Sequence, residues 1–265
     1  MLAFINWDVN PVIFTLGPLS IRYYGLLFAL AFYAAYVVFV KIFKRENLSM
    51  AVLDSLTLYM IIGVVIGARL GHVLFYEPGY YFSHPMEIIK VWHGGLASHG
   101  AALGILIALY LFSRKYKRPY LWTLDRIAIV VPLSGAFIRI GNLMNSEIYG
   151  HQTNLPWGFI FLRNGETVPK HPTQIYEALA YLSIFVVLWW MYRKGKKVNN
   201  HGYYIGLMMV LLFIARFLIE FVKNPQVGFE NSMAINMGQI LSIPFILAGI
   251  AIMIWSTRKT ATVSQ

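Results

Sequence analysis

An all-α fold, a polytopic membrane bundle of about seven transmembrane helices, is predicted by three observations. The 265-residue chain is 58% hydrophobic and only 12% charged. Its mean hydropathy is +0.60. Several apolar segments reach the ~20 residues that a ~30 Å hydrocarbon core requires. Soluble domains do not combine these properties. The expected spans are Tyr24–Val40, Leu56–Phe75, Leu96–Phe112, Ile127–Ile140, Ile175–Tyr192, Tyr203–Val222 and Met237–Trp255. The fourth is short and is expected to extend on its cytoplasmic side from about Trp122.

Charge orients the spans. Most of the 22 lysines and arginines fall in Lys41–Arg45, Arg114–Arg118, Arg193–Lys197 and Arg258–Lys259, all in alternate loops. The opposite loops carry only Arg22, Lys90, Arg163, Lys170 and Lys223. Basic residues accumulate on the cytoplasmic side, so the N-terminus is expected outside and the C-terminus in the cytoplasm. The same partition accounts for the net charge of +11, and no nucleic-acid partner is required. The early apolar stretch is interrupted by Asp8 and Pro11, and the first basic residue is Arg22. A cleavable signal peptide is therefore not expected; this segment should lie along the outer membrane surface. Residues 1–265 read as a single membrane-embedded domain, in which the Asn-, Gly- and Pro-rich stretch 142–174 forms a small outward-facing head. Tyr76–Gly95 is the other long outer loop. No internal repeat or P-loop is visible, which argues against a nucleotide-driven transporter.

Cysteine is absent, which excludes disulfides, thiolate nucleophiles and Cys-ligated metals. Any thiol chemistry must use a thiol that arrives with a substrate. The histidines show no paired helical spacing, so neither metal nor cofactor is expected.

Two arginines lie at bilayer depth. Arg216 sits inside Tyr203–Val222, and Arg139 closes Ile127–Ile140. A cation at the centre of a spanning helix costs about 2.5–3.5 kcal/mol on insertion scales. A phospholipid phosphate is the natural anion to offset that cost. Topology also gathers Tyr24 and His99 into the same outer half, and Arg216 lies roughly 10 Å deep at 1.5 Å per residue from Lys223. Arg216 and Glu220 share a helix face and could instead form an internal ion pair. Arg139 shares a face with Asn142 in IRIGNLMNSEIYG, where Gly141 permits close backbone approach and Gly150 a tight turn. Asn142, Asn145 and Glu147 supply amides and a carboxylate, or else simply cap a helix end. His99 is a usable base at neutral pH or an interfacial structural group. Arg69 could bind phosphate or anchor carbonyls, and Gly63, Gly67 and Gly71 form a stripe suited to helix packing. In HPTQIYE, Pro172 suits a helix start, and Gln174 and Glu177 share a face. A lipid flippase or transporter fits buried arginines as well; a scaffold leaves the polar cluster without a purpose.

With these residues assembled, the chain resembles the prolipoprotein diacylglyceryl transferase family over nearly its whole length. The resemblance is carried by DVNPVIF (8–14), YYGL (23–26), 67–76, GGLASHG (94–100), 139–150, HPTQIYE (171–177), 216–221 and MGQILSIP (237–244). Arg139, Gly141, Asn142, Asn145, Glu147 and Gly150 match the family signature. Ile138 replaces its leading Gly, Leu143 its Phe, and Ala101 a common Gly; these departures bear on packing and leave every ionisable position intact. The resemblance implies transfer of diacylglyceryl from phosphatidylglycerol to the lipobox cysteine of a prolipoprotein signal peptide, at the outer leaflet of a bacterial inner membrane. It implies a catalytic set of His99, Arg139, Arg216 and Tyr24. It also implies a phosphatidylglycerol-binding set of Arg139, Arg216, Asn142, Asn145, Glu147, Gly150 and Glu220.

Overall fold

The computed structural model describes residues 4–17, 19–91, 94–224 and 235–263; the side chain of Lys259, in the last basic cluster, lies outside the described residues. Eight α-helices dominate: α1 (Tyr23–Arg45), α2 (Met50–Phe75), α3 (Pro78–Ser83), α4 (Ser98–Lys115), α5 (Tyr120–Met144), α6 (Thr173–Arg193), α7 (Tyr203–Ile219) and α8 (Met237–Val263). Six of them, α1, α2, α5, α6, α7 and α8, are long and apolar enough to cross a membrane. The expected third span is also helical, but α4 has 18 residues with a polar start and a basic end, and falls short of the other six. The short fourth span does extend, from Tyr120 to Met144. Large apolar side chains such as Tyr33, Phe75, Val186, Leu218 and Leu247 stand exposed, as lipid-facing surfaces require.

Helix ends explain part of the basic clustering. Asn47, Lys117 and Gly195 adopt left-handed φ just past α1, α4 and α6. There Leu48 N–H donates to Phe43 O, Arg118 N–H to Ser113 O and Lys196 N–H to Met191 O, the pattern that closes a helix C-terminus. Lys44, Arg45, Arg114, Lys115 and Arg193 occupy the last turns, where a cation complements the helix dipole.

The chain divides into two compact units, Met1–Val38 with Asp125–Gln265, and Phe39–Leu124. In the smaller, α2 packs on α4 along a glycine seam. A Cβ on Gly67 would lie 2.8 Å from the Gly104 Cα, and one on Gly71 2.6 Å from the Gly100 Cα. Backbones meet where side chains would otherwise keep them apart. Arg69 leaves α2 only 3% exposed, and its guanidinium donates to the carbonyls of Glu87, Ile88, Gly94 and Gly95 while lying 4.8 Å from the Tyr81 ring centre. Of its two expected roles, it serves as the carbonyl anchor, here of the loop after α2. His99 is exposed in the first turn of α4, with its ring 5.5 Å from Phe75 and 5.7 Å from Tyr76.

In the larger unit, α7 packs along α8 through Gly206 and Gly249, each Cβ position 2.7 Å from the other's carbonyl, and through Phe213 stacked on Phe245 at 4.4 Å. Asp125, 1% exposed, accepts from Gly202 N–H and Ile205 N–H and so caps α7. Asn236 and Gln239 cap α8 reciprocally, each side chain accepting the other's backbone N–H.

The N-terminal segment carries strand structure that helical periodicity does not announce. β1 (Ile5–Trp7) pairs in parallel with β4 (Phe159–Phe161), while β2 (Val12–Leu16) and β3 (Leu19–Arg22) form a hairpin leading into α1. Leu143, Phe159 and Phe161 make a small core under Trp7, Tyr149 and Ile175. The Leu143 departure from the family signature thus stays apolar and buried.

Gly104→Val should disrupt the α2–α4 seam, costing about 1–3 kcal/mol through overpacking and lowering the midpoint of thermal unfolding in detergent. Gly25→Ala, on an α1 position with nothing within 4 Å, should leave that midpoint unchanged or slightly raised.

Candidate active site

The site is built around Arg139 at the end of α5. Two glycine notches on that helix flank it. A Cβ on Gly141 would stand 2.9 Å from the Tyr24 ring, and one on Gly135 3.0 Å from the Tyr181 ring. Both rings therefore pack directly against α5 at these glycines. Tyr24 is within electrostatic reach of Arg139 and Glu147, and Tyr181 is within electrostatic reach of Arg139.

Arg139 is itself held. Its Nε lies 2.8 Å from Glu177 Oε2, and its Nη1 donates to Asn142 Oδ1 at 3.2 Å. Glu177 is fully buried on α6, and its other oxygen receives Lys223 Nζ at 3.2 Å. Lys223 is 2% exposed and reaches Glu220 Oε2 at 3.9 Å. Charges thus alternate along Arg139, Glu177, Lys223 and Glu220. A guanidinium has five N–H donors, so this clamp leaves donors over for an anion.

Sequence spacing suggested a Glu220–Arg216 pair, but Glu220 turns to Lys223 instead. Gly238 makes room for it: a Cβ there would meet the Glu220 carboxylate at 2.5 Å. Among the described residues Arg216 forms no ion pair, yet its charge acts on Tyr181, as does that of Arg139. One phenol hydroxyl therefore lies within electrostatic reach of both arginines.

After α5 the chain forms a strap, 145–150, whose carbonyls are gripped from several elements. Asn164 Nδ2 donates to Ser146 O, Gln174 Nε2 to Glu147 O and Thr173 Oγ1 to Ile148 O, while Trp7 Nε1 holds Leu143 O in the last turn of α5 just before it. The grip sustains positive φ at Ser146 (54°) and at β-branched Ile148 (61°), conformations that cost about 1–3 kcal/mol each. On this strap Glu147 Oε1 accepts from Asn142 Nδ2 at 2.8 Å and Asn145 Nδ2 at 3.2 Å. Gly150 serves close approach rather than a turn. It bridges to Lys223, and a Cβ there would overlap the Val222 carbonyl and stand 2.8 Å from Thr173.

Tyr24, Arg139, Asn142, Asn145 and Glu147 therefore form one network, with Gly150 bracing it, Arg216 joined through Tyr181 and Glu220 through Lys223. Sequence reasoning left Glu177 and Gln174 open and treated Lys223 as an outer-loop charge, whereas all three are buried in the network. The available signal was Lys223 standing one turn beyond Glu220 with Glu177 free to oppose it. Tyr181 had no signal beyond Gly135. In the loop, burial and then the neighbouring His151 hold the His171 imidazole below its ordinary range. Burial holds the Tyr149 phenol above its own, against the pull of Asn164. Among the described residues no cluster of His, Asp and Glu could hold a metal ion.

A helix bundle with membrane-spanning dimensions and a braced, arginine-centred polar network defines the class: a polytopic membrane protein. The family model described as prolipoprotein diacylglyceryl transferase matches residues 11–255. A Tolumonas auensis protein is 46% identical over 96% of this chain and 98% of its own length. A Bacteroides fragilis protein is 44% identical over 98% of each chain, and one from Porphyromonas gingivalis 46% identical over 98% of this chain and 97% of its own. Each bears the name phosphatidylglycerol–prolipoprotein diacylglyceryl transferase. The chain belongs to the prolipoprotein diacylglyceryl transferase family.

Lys223→Met would strip a buried carboxylate of one of its two cations. The expected cost is about 3–5 kcal/mol, read as a lowered thermal midpoint of the purified protein, with Lys223→Arg largely restoring it.

Proposed function

We propose that this chain transfers the diacylglyceryl group of phosphatidylglycerol to the thiol of a prolipoprotein's lipobox cysteine, in the inner membrane of a bacterium, at a site facing the outer leaflet. The reading rests on one observation above all: Arg139 is pinned through Nε to a buried carboxylate, with guanidinium donors left for a phosphate. The thiolate attacks the glycerol carbon that bears the phosphate; the S–C bond forms, the C–O bond breaks, and glycerol phosphate leaves with the electron pair. Arg139 and Arg216 stabilise the negative charge on the leaving phosphate, the kind of preorganised electrostatics that often dominates rate. His99 takes the thiol proton, directly or through Tyr24. Asn142, Asn145 and Glu147 position the head group, Gly150 fixes their strap, and Glu220 acts on the site through Lys223.

The whole chain, 1–265, works in this reading as a single membrane-embedded domain, with 142–174 as its outward-facing head. Its N-terminus is outside, its C-terminus is cytoplasmic, and α4 crosses as a seventh span. The basic last turns of α1, α4 and α6 support that orientation. Neither metal nor cofactor is needed for the step.

Incubation with phosphatidylglycerol and a lipobox peptide should add a diacylglyceryl mass to the cysteine and release glycerol phosphate; lipid movement without either product would mark a transporter. Arg139→Lys should lose about 100-fold or more in turnover, because an ammonium cannot copy a bidentate grip. Arg216→Ala should fall comparably, and normal turnover there would remove the second arginine from the clamp. His99→Gln should keep lipid binding and lose about 100- to 10,000-fold in transfer; full turnover would take His99 out of the mechanism.

A further inference from the structure

The segment between α2 and α4 returns to the end of α2, and main-chain contacts fix that return. Ala97 N–H donates to Ala68 O at 2.9 Å. Gly95 takes φ 69°, where a Cβ would stand 2.7 Å from the His72 ring. The last turn of α2 is thus held beside the first turn of α4, and aromatic rings fill the junction. His72 meets Tyr81 edge-on with ring centres 5.9 Å apart and stacks on Tyr76 at 5.5 Å. Tyr76 in turn lies 5.7 Å from the His99 ring, tilted by 30°, and Phe75 lies 5.5 Å from it at 73°. Tyr81 is itself buried against the Arg69 guanidinium. A column of side chains therefore runs from a buried anchor to an exposed imidazole.

Among the described residues, neither nitrogen of His99 is hydrogen-bonded to a protein group. A base that activates a nucleophile is ordinarily oriented by a third group, bonded through its second ring nitrogen. His99 has ring packing in that place. Tilted and edge-on rings at such distances attract one another and resist rotation. They fix the plane of the imidazole and leave both of its nitrogens open. Lipid contact accounts for the exposure of Phe75 and Tyr76, but not for their meeting on one histidine.

We propose that Tyr76, seated on His72, and its neighbour Phe75 are positioning residues for the base, their rings holding the His99 imidazole in one orientation. The assignment rests on the transferase reading above and deepens it.

A double-mutant cycle on the purified full chain, with phosphatidylglycerol and a lipobox peptide, tests it. Tyr76→Leu, at an exposed position, should lower kcat about 10- to 100-fold through misorientation of the base, with KM for both substrates unchanged. Tyr76→Phe keeps the ring and should match the wild type. In a His99→Gln background Tyr76→Leu should cost nothing further, because residues that act as a unit are not additive. An equal loss with and without His99 overturns the positioning role and leaves the transferase reading standing. A raised KM with kcat intact, or a Tyr76→Phe loss as large as that of Tyr76→Leu, overturns it as well. Full turnover by His99→Gln removes the base and the inference together. Should the wild type form no product, the transferase reading fails, and NMR of the histidine-labelled protein decides the stack separately. The His99 ring-proton resonance, assigned by its loss in His99→Gln, should lie upfield through its neighbours' ring currents and move back in Tyr76→Leu. A resonance that does not move in Tyr76→Leu overturns the inference.

Discussion

The buried carboxylate of Glu177 is the constraint on which the larger unit depends. It stands between Arg139 and Lys223, drawing α5, α6 and the end of the α7 segment toward one point. A carboxylate and two cations taken out of water carry a desolvation penalty that their mutual attraction only partly offsets. Such an arrangement is a poor way to gain stability and a good way to fix geometry. Arg139 loses the freedom to swing, and its remaining donors keep one direction. In the proposed reaction, the donors for an incoming anion are set before the anion arrives.

Rigidity extends from there into the strap. A chain that leaves a helix and immediately adopts left-handed φ at Ser146 and Ile148 would relax if it were free. Asn164, Thr173 and Gln174 prevent that by taking its carbonyls, and Trp7 holds the α5 turn before it through Leu143 O. These four side chains come from β1, the 3-10 turn after β4, and the first turn of α6. The small head is therefore a brace for Asn145 and Glu147, and the β1–β4 pairing exists to bring Trp7 to Leu143.

Most of the membrane architecture was legible in the sequence, because length and hydropathy are dictated by bilayer thickness and not by tertiary detail. Six spans follow from that alone, and the glycine stripe of α2 meets the partner its spacing implied. α4 falls short of the six on composition because its last turn is basic and its first carries His99. The polar contacts were legible where two residues share one helix face, as for Arg139 and Asn142, whose side chains do meet. They were illegible where partners come from distant segments. An i, i+4 rule joined Arg216 to Glu220, but Gly238 on α8 opens a space that lets Glu220 turn to Lys223. Short strands escaped for a related reason: three residues paired across more than 150 positions leave no periodicity to read.

Arg69 carries a consequence for how the loop between α2 and α4 can change over time. Its guanidinium hydrogen-bonds main-chain oxygens of residues 87, 88, 94 and 95. A grip of that kind is blind to side-chain identity. The loop can therefore drift in spelling while its path is conserved, and the burden of invariance shifts onto one arginine and the Tyr81 ring beside it.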